Sequence, residues 1–145
     1  MIKMNAQKFT QKSLEAIQDA QTIATQNQNS QIEEEHLLLA LLEQEDSLIK
    51  ELLKKIGISE NFENELRGNI ERFTKMTGGA RKADSIYISQ DVDLVLSASE
   101  KIADKMKDEY ISVEHIMLAI FDNANRNIKD LFKKYNLNKN DFLKA

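Results

Sequence analysis

The sequence predicts an all-α fold, a pseudo-twofold duplication of a four-helix unit with about eight helices in all. Three observations carry this expectation. The chain repeats with a period of 79 residues, so that Ile32-Glu-Glu-Glu-His-Leu-Leu-Leu-Ala40 falls on Ile111-Ser-Val-Glu-His-Ile-Met-Leu-Ala119. Aligned without a gap, 14 of the 58 pairs between Phe9–Leu66 and Ile88–Ala145 are identical, and ten of these lie in just two blocks, residues 32–40 and 49–55. A fixed period decides the architecture before any local reading is made. Proline is absent and only four glycines occur; both residues interrupt helices, so their scarcity favours helix throughout. Apolar residues then recur at helical spacing in both copies.

Thr10 and Ser89 share one repeat position, each just before an amphipathic segment. Either hydroxyl can accept from a free N–H of a first helical turn, so both read as N-caps. The stripe after Thr10 is Ala16, Ile17, Ala20, Ile23 and Ala24; that after Ser89 is Val92, Val95, Leu96, Ile102, Ala103 and Met106. A second helix is expected from about Glu33 to Glu43 and from about Val113 to Asn123, capped in copy two by Ser112, with Glu114 in the turn where the helix dipole favours an anion. Both are apolar nearly all round, which places them at the centre of each unit.

A third helix carries Leu48, Ile49, Leu52, Leu53 and Ile56, mirrored by Ile128, Leu131, Phe132 and Tyr135. Gly57 and Asn136 follow at one repeat position, and both tolerate the left-handed conformation that ends many helices. Ser59 and Asn138 cap a fourth helix, reaching about Phe73 in copy one. The chain, 1–145, thus reads as one domain: repeat one about 9–73, an exposed connector about 74–87, repeat two about 88–145. The break is expected at Gly78-Gly79.

Composition bounds the function. A chain of 145 residues can bury a real core. Its net charge of −4, with signs mixed, argues against a nucleic-acid surface. No apolar run approaches the roughly 20 residues of a membrane span. Met-Ile-Lys-Met at the start has no apolar stretch after it, so no secretion signal is expected. Zero cysteines exclude thiol chemistry and fit a cytoplasmic chain.

Chemistry has few footholds. The two histidines follow glutamates, as Glu35-His36 and Glu114-His115, at one repeat position. Zinc takes three or four ligands, and nothing nearby completes a set. No nucleophile-elbow motif is present. We read both histidines as fixing the start of the central helix, with no catalytic residue and no metal ligand assigned. Gly78-Gly79-Ala-Arg-Lys82 lacks the spacing of a P-loop, so no ATP binding is expected by that route. Lys54-Lys55 and Lys133-Lys134 suit helix C-termini. Leu94 lies well off its helix's apolar stripe and is expected to pack beneath the connector; the alternative is an exposed contact. Phe9 is open to the same two readings.

The segments Phe9-Thr-Gln-Lys-Ser-Leu-Glu-Ala-Ile-Gln-Asp-Ala-Gln21, Glu35-His-Leu-Leu-Leu-Ala-Leu-Leu-Glu-Gln-Glu-Asp46 and Asp108-Glu-Tyr-Ile-Ser-Val-Glu-His115 resemble the N-terminal domain of the Clp/Hsp100 chaperones over essentially the whole chain. The Gly-Gly connector and Tyr87-Ile-Ser-Gln90 are more similar to the ClpB branch than to ClpC or ClpA. The resemblance implies a substrate-recruiting domain for unfolded or aggregated polypeptides. Its parent would be a hexameric AAA+ ATPase ring that threads them through its pore with the DnaK system. ATP and Mg are then expected only in the parent's ATPase modules, with no cofactor in this chain, and the isolated domain is expected to be a monomer.

The positions matching the family's substrate surface are Thr10, Asp108 and Glu114, with Leu96 and Ile102 matching apolar groove residues. Leu96 and Ile102 also belong to the apolar stripe, so groove and core both remain open for them. Thr10 and Glu114 suit helix capping equally well. His115 stands where some ClpB proteins have an apolar residue. The runner-up implied by the family is an adaptor- or phosphoarginine-docking domain of the ClpC or ClpA type, using Glu35 and Glu114. A stand-alone enzyme has only the Glu-His pairs in its favour.

Overall fold

A computed structural model describes residues 6–76 and 87–145. Among the described residues eight α-helices are arranged as two sets of four: α1 Gln11–Gln26, α2 Glu34–Glu43, α3 Leu48–Lys55 and α4 Asn61–Glu71, then α5 Gln90–Lys105, α6 Val113–Asn123, α7 Arg126–Lys134 and α8 Lys139–Lys144. The expected connector is described only at its two ends, and Gly78-Gly79 lies outside the described residues. Among the described helices none is long and apolar enough to cross a membrane.

The caps fall where the side chains direct them. Thr10 accepts from the Ser13 N–H at 3.1 Å and Ser89 from the Val92 N–H at 3.2 Å, so each repeat opens its first helix the same way. Asn138 caps α8 by accepting from Asp141 N–H at 2.9 Å. Gly57 and Asn136 end α3 and α7 with φ of 89° and 55°, the left-handed turn expected of them. Two bounds move by a residue or two. Helix α2 begins at Glu34, with Glu33 as its N-cap. Helix α4 stops at Glu71, short of Phe73, and its N-cap is Glu60, while Ser59 accepts from Asn61 N–H at 3.1 Å.

Helices α2 and α6 form the centre. Every residue from Leu37 to Leu42 and from Ile116 to Ile120 is buried, as a helix apolar on all sides demands. Helix α1 packs on α2 and α5 on α6; across the copies α1 meets α6, α2 meets α5, and α4 meets α7. The α4–α7 contact is aromatic and charged. Phe62 stacks on Phe132 at 6.1 Å and meets Tyr135 edge-on at 5.5 Å, while Tyr135 donates to Glu65 at 2.8 Å.

The copies also exchange their edges. Strand β1 (Gln31–Ile32), which precedes α2, pairs in parallel with β2 (Tyr87–Ile88), which precedes α5. The segment before α1 pairs in parallel with the segment before α6, through Phe9 and Ile111. The two seams are related by the repeat: Ser89 N–H donates to Ile32 C=O, and Thr10 N–H to Ile111 C=O, both at 3.0 Å. Backbone groups entering the central helix of one copy are therefore satisfied by the other copy. Phe9 is buried at this seam, which settles its reading.

Candidate functional site

The seams create a matched pair of clefts. The first, about 430 Å³, is lined by Thr10, Gln11, Lys12, Gln44, Asp46, Leu48, Ser112, Val113 and Glu114. The second, about 310 Å³, is lined by Glu33, Glu35, Phe73, Asn125, Arg126 and Asn127. Adding the period of 79 to Glu33, Glu35, Asp46 and Leu48 gives Ser112, Glu114, Asn125 and Asn127. Each cleft thus sits between the first turn of one copy's central helix and the turn before the third helix of the other copy. The sequence singled out Glu35 and Glu114, and the structure puts one in each cleft.

The first cleft brings together two of the predicted substrate residues, Thr10 and Glu114. Its floor is apolar: Val113 is buried, and Leu48 remains 42% exposed at the first position of α3. Thr10 also serves the fold, because its hydroxyl donates to Ser13 Oγ at 2.9 Å and Ser13 Oγ donates on to Ile111 C=O at 2.9 Å. Capping and cleft lining coexist at Thr10, whereas Glu114 lines the cleft from the first turn of α6, whose capping falls to Ser112 and His115.

Asp108 lies one contact away. Its carboxylate accepts from His115 Nε2 at 2.8 Å, and His115 Nδ1 accepts from the Ser112 N–H at 2.9 Å. A neutral ring that accepts at Nδ1 carries its proton at Nε2, so this chain of bonds fixes the tautomer. The same device stands in copy one: Glu33 N–H donates to His36 Nδ1 at 2.8 Å, and His36 Nε2 donates to Asn29 Oδ1 at 2.8 Å. The histidines therefore fix the start of each central helix, as the sequence indicates, and their ring nitrogens are taken. Burial pushes the His36 pKa down to about 4.

Two predicted groove residues lie elsewhere. Leu96 is only 2% exposed and belongs to the core beneath α5 and α6, so it offers no surface to a ligand. The helical stripe that included it decides between the two readings. Ile102 is half-buried and packs on the same core. Leu94, by contrast, is 53% exposed and does not pack away as expected.

The second cleft is acidic. Glu35 is buried and accepts from Asn125 Nδ2 at 3.0 Å. Burial raises its pKa, and the amide groups of Asn125 and Asn127 oppose that shift. Glu34, beside it, is fully buried, and neither carboxyl oxygen has a hydrogen-bond partner. Its repeat mate is Val113. Sequence reading missed Glu34, although a glutamate facing a valine across the repeat was the available signal. A further cleft of about 350 Å³ between α3 and α4 holds no predicted residue. Two of its basic groups are paired, Lys50 to Glu63 at 3.1 Å and Arg67 to Glu43 at 2.7 Å.

Two copies of a four-helix unit with exchanged edges, and one cleft on each seam, define a Clp-repeat domain. The family model described as the Clp repeat (R) N-terminal domain matches residues 8–135. The chain belongs to that family. The chaperone protein ClpB of Clostridium perfringens is 34% identical over 98% of this chain, which spans 17% of that relative's length. The Hsp104 N-terminal domain from Candida albicans superposes with a TM-score of 0.80 at 26% identity, covering 93% of this chain and 86% of that one. The N-terminal domain of the caseinolytic protease associated chaperone ClpD from Arabidopsis thaliana shares the fold, at a TM-score of 0.71 and 19% identity, with 99% and 97% covered.

Proposed function

We propose that this chain is the substrate-recruiting N-terminal domain of a ClpB-type disaggregase. It would hold unfolded or aggregated polypeptides for ATP-driven threading by AAA+ modules of a longer, hexameric, cytoplasmic parent working with the DnaK system. The domain itself would take no cofactor. The observation that carries the reading is the first cleft, where exposed Leu48 and the Val113 floor are rimmed by Thr10, Asp46 and Glu114. Unfolded chains expose apolar segments flanked by free backbone N–H groups. A small apolar floor with acceptors on its rim suits both without reading a sequence. Asp108 acts through His115, holding the rim residue Ser112 in place.

A second reading has its own support. Glu35 and Glu114 stand at matched positions in the two clefts, which suits a pair of docking sites for an adaptor or for phosphorylated arginine.

Titration of the labelled domain with a permanently unfolded polypeptide, followed by NMR, tests the first reading. Shifts are expected at Leu48, Val113 and Glu114. The double variant Leu48→Ala, Glu114→Ala should weaken binding about tenfold, or roughly 1.4 kcal/mol. Shifts confined to residues away from the first cleft, or unchanged affinity in the variant, would refute it. Saturable shifts with phosphoarginine at both Glu35 and Glu114 would favour the second.

A further inference from the structure

The two seams are built alike, with one difference at their centres. In the second seam Val113 opens α6 with an apolar side chain that its surroundings accept. In the first seam the same position holds Glu34, whose carboxyl is fully buried and makes no hydrogen bond. Asp91 in the first turn of α5 repels its charge, as do Glu33 and Glu35 on its own helix. The Asn125 backbone at the start of α7 is the one influence that favours the charge, without a hydrogen bond to the carboxyl, and none of the influences on it is a cation. Arg126, the next residue, is exposed and lines the outer cleft.

We propose that Glu34 is a proton-operated latch on the seam between the copies. Protonated, it stays among the buried side chains of α2 and lets the first turn of that helix remain packed at the seam. Ionised, it cannot remain there: a buried carboxylate facing Asp91 with no cation is too costly, so it moves to water and the seam loosens. The second cleft, formed by Glu33, Glu35, Asn125 and Asn127 over this seam, opens with it. Valine at the matched position leaves the other seam without such a switch. The proton is held well into the neutral range, since burial, with the Asp91 charge behind it, raises the Glu34 pKa to about 8. The latch stands whatever the clefts bind.

Amide hydrogen exchange of the chain at about pH 6 and about pH 9, corrected for the intrinsic rate, tests this. Protection at Ile32, Leu37 and Ile128 is expected to fall at least about tenfold with rising pH, while Ile111 and Ile116 at the second seam hold theirs. Glu34→Gln should abolish the fall, and Glu34→Val, which copies the second seam, should do the same if the glutamine variant folds poorly. Equal losses at both seams, or an unchanged loss in both variants, would overturn the proposal. So would a Glu34 carboxyl that titrates, by carbon NMR, near the ordinary 4.5.

Discussion

Replacing His36 by alanine lowers the unfolding free energy by about 4 kcal/mol, and the same change at His115 costs about half as much. The two rings occupy one repeat position and each ties the N-cap backbone to the residue seven positions before it, so the difference comes from those partners and their burial. His36 is 0% exposed and meets the edge of Phe73 at a centroid distance of 5.4 Å. Its removal leaves a cavity, strips the Glu33 N–H of its acceptor, and leaves buried Asn29 without the ring's donor. His115 is also buried, but its partner Asp108 has 46% of its side chain exposed and is rehydrated when the ring goes. Urea denaturation of the two variants beside the parent chain measures the ratio. Equal losses would mean that capping alone, common to both, sets the cost.

The second large effect is on pH. His36 is held neutral in the fold, with a pKa near 4 against the ordinary 6.5. The unfolded chain takes up that proton as pH falls below 6.5 and the folded one does not. Stability is therefore lost as pH drops through the window from 6.5 to 4, by about 1.4 kcal/mol per unit. Glu34 acts in the opposite sense. Its proton is held up to about pH 8 in the fold and only to 4.5 outside it, so stability is lost as pH rises through that range, in total by about 5 kcal/mol.

Between 4.5 and 6.5 the two slopes cancel. The parent chain should show a nearly level stability there, falling on either side. Glu34→Gln should uncover a rise with pH from 4 to 6.5, and His36→Asn a fall from 4.5 to 8. Denaturant midpoints across pH for the three proteins check this, and a level profile in both variants would contradict it.

The architecture was legible because duplication writes itself into sequence. The shared Glu-His pair, the two apolar central helices and the Gly57 and Asn136 helix ends all lie at the same offset, and each has a local cause. The exchanged edges were not legible. Each seam rests on one or two residues such as Ile32 and Ile88, too short for an alternation pattern, and partners are chosen by packing. Leu96 shows another limit: an apolar residue on the core stripe looks the same in sequence whether a ligand reaches it or not. Asn29 against Asp108 differed across the repeat, and the structure gives both to their histidines. Glu34 was hidden inside a run of three glutamates that reads as a solvated, dipole-favoured first turn. Only its valine counterpart marked it as buried.

The exchange of edges also bears on how the chain reaches its native state. Isolated helical bundles fold fast because their contacts are local. Here each central helix receives its entry contacts from residues far away in sequence, Ile88 for Ile32 and Phe9 for Ile111. Closing the longer of these loops costs only about 0.5 kcal/mol more than closing the shorter, so neither seam leads the other by much. Neither half can complete itself before the other is present. These long-range pairings raise the contact order above that of a simple bundle, which slows folding, and a nascent first half lacks the entry contacts of its central helix until the second has been made.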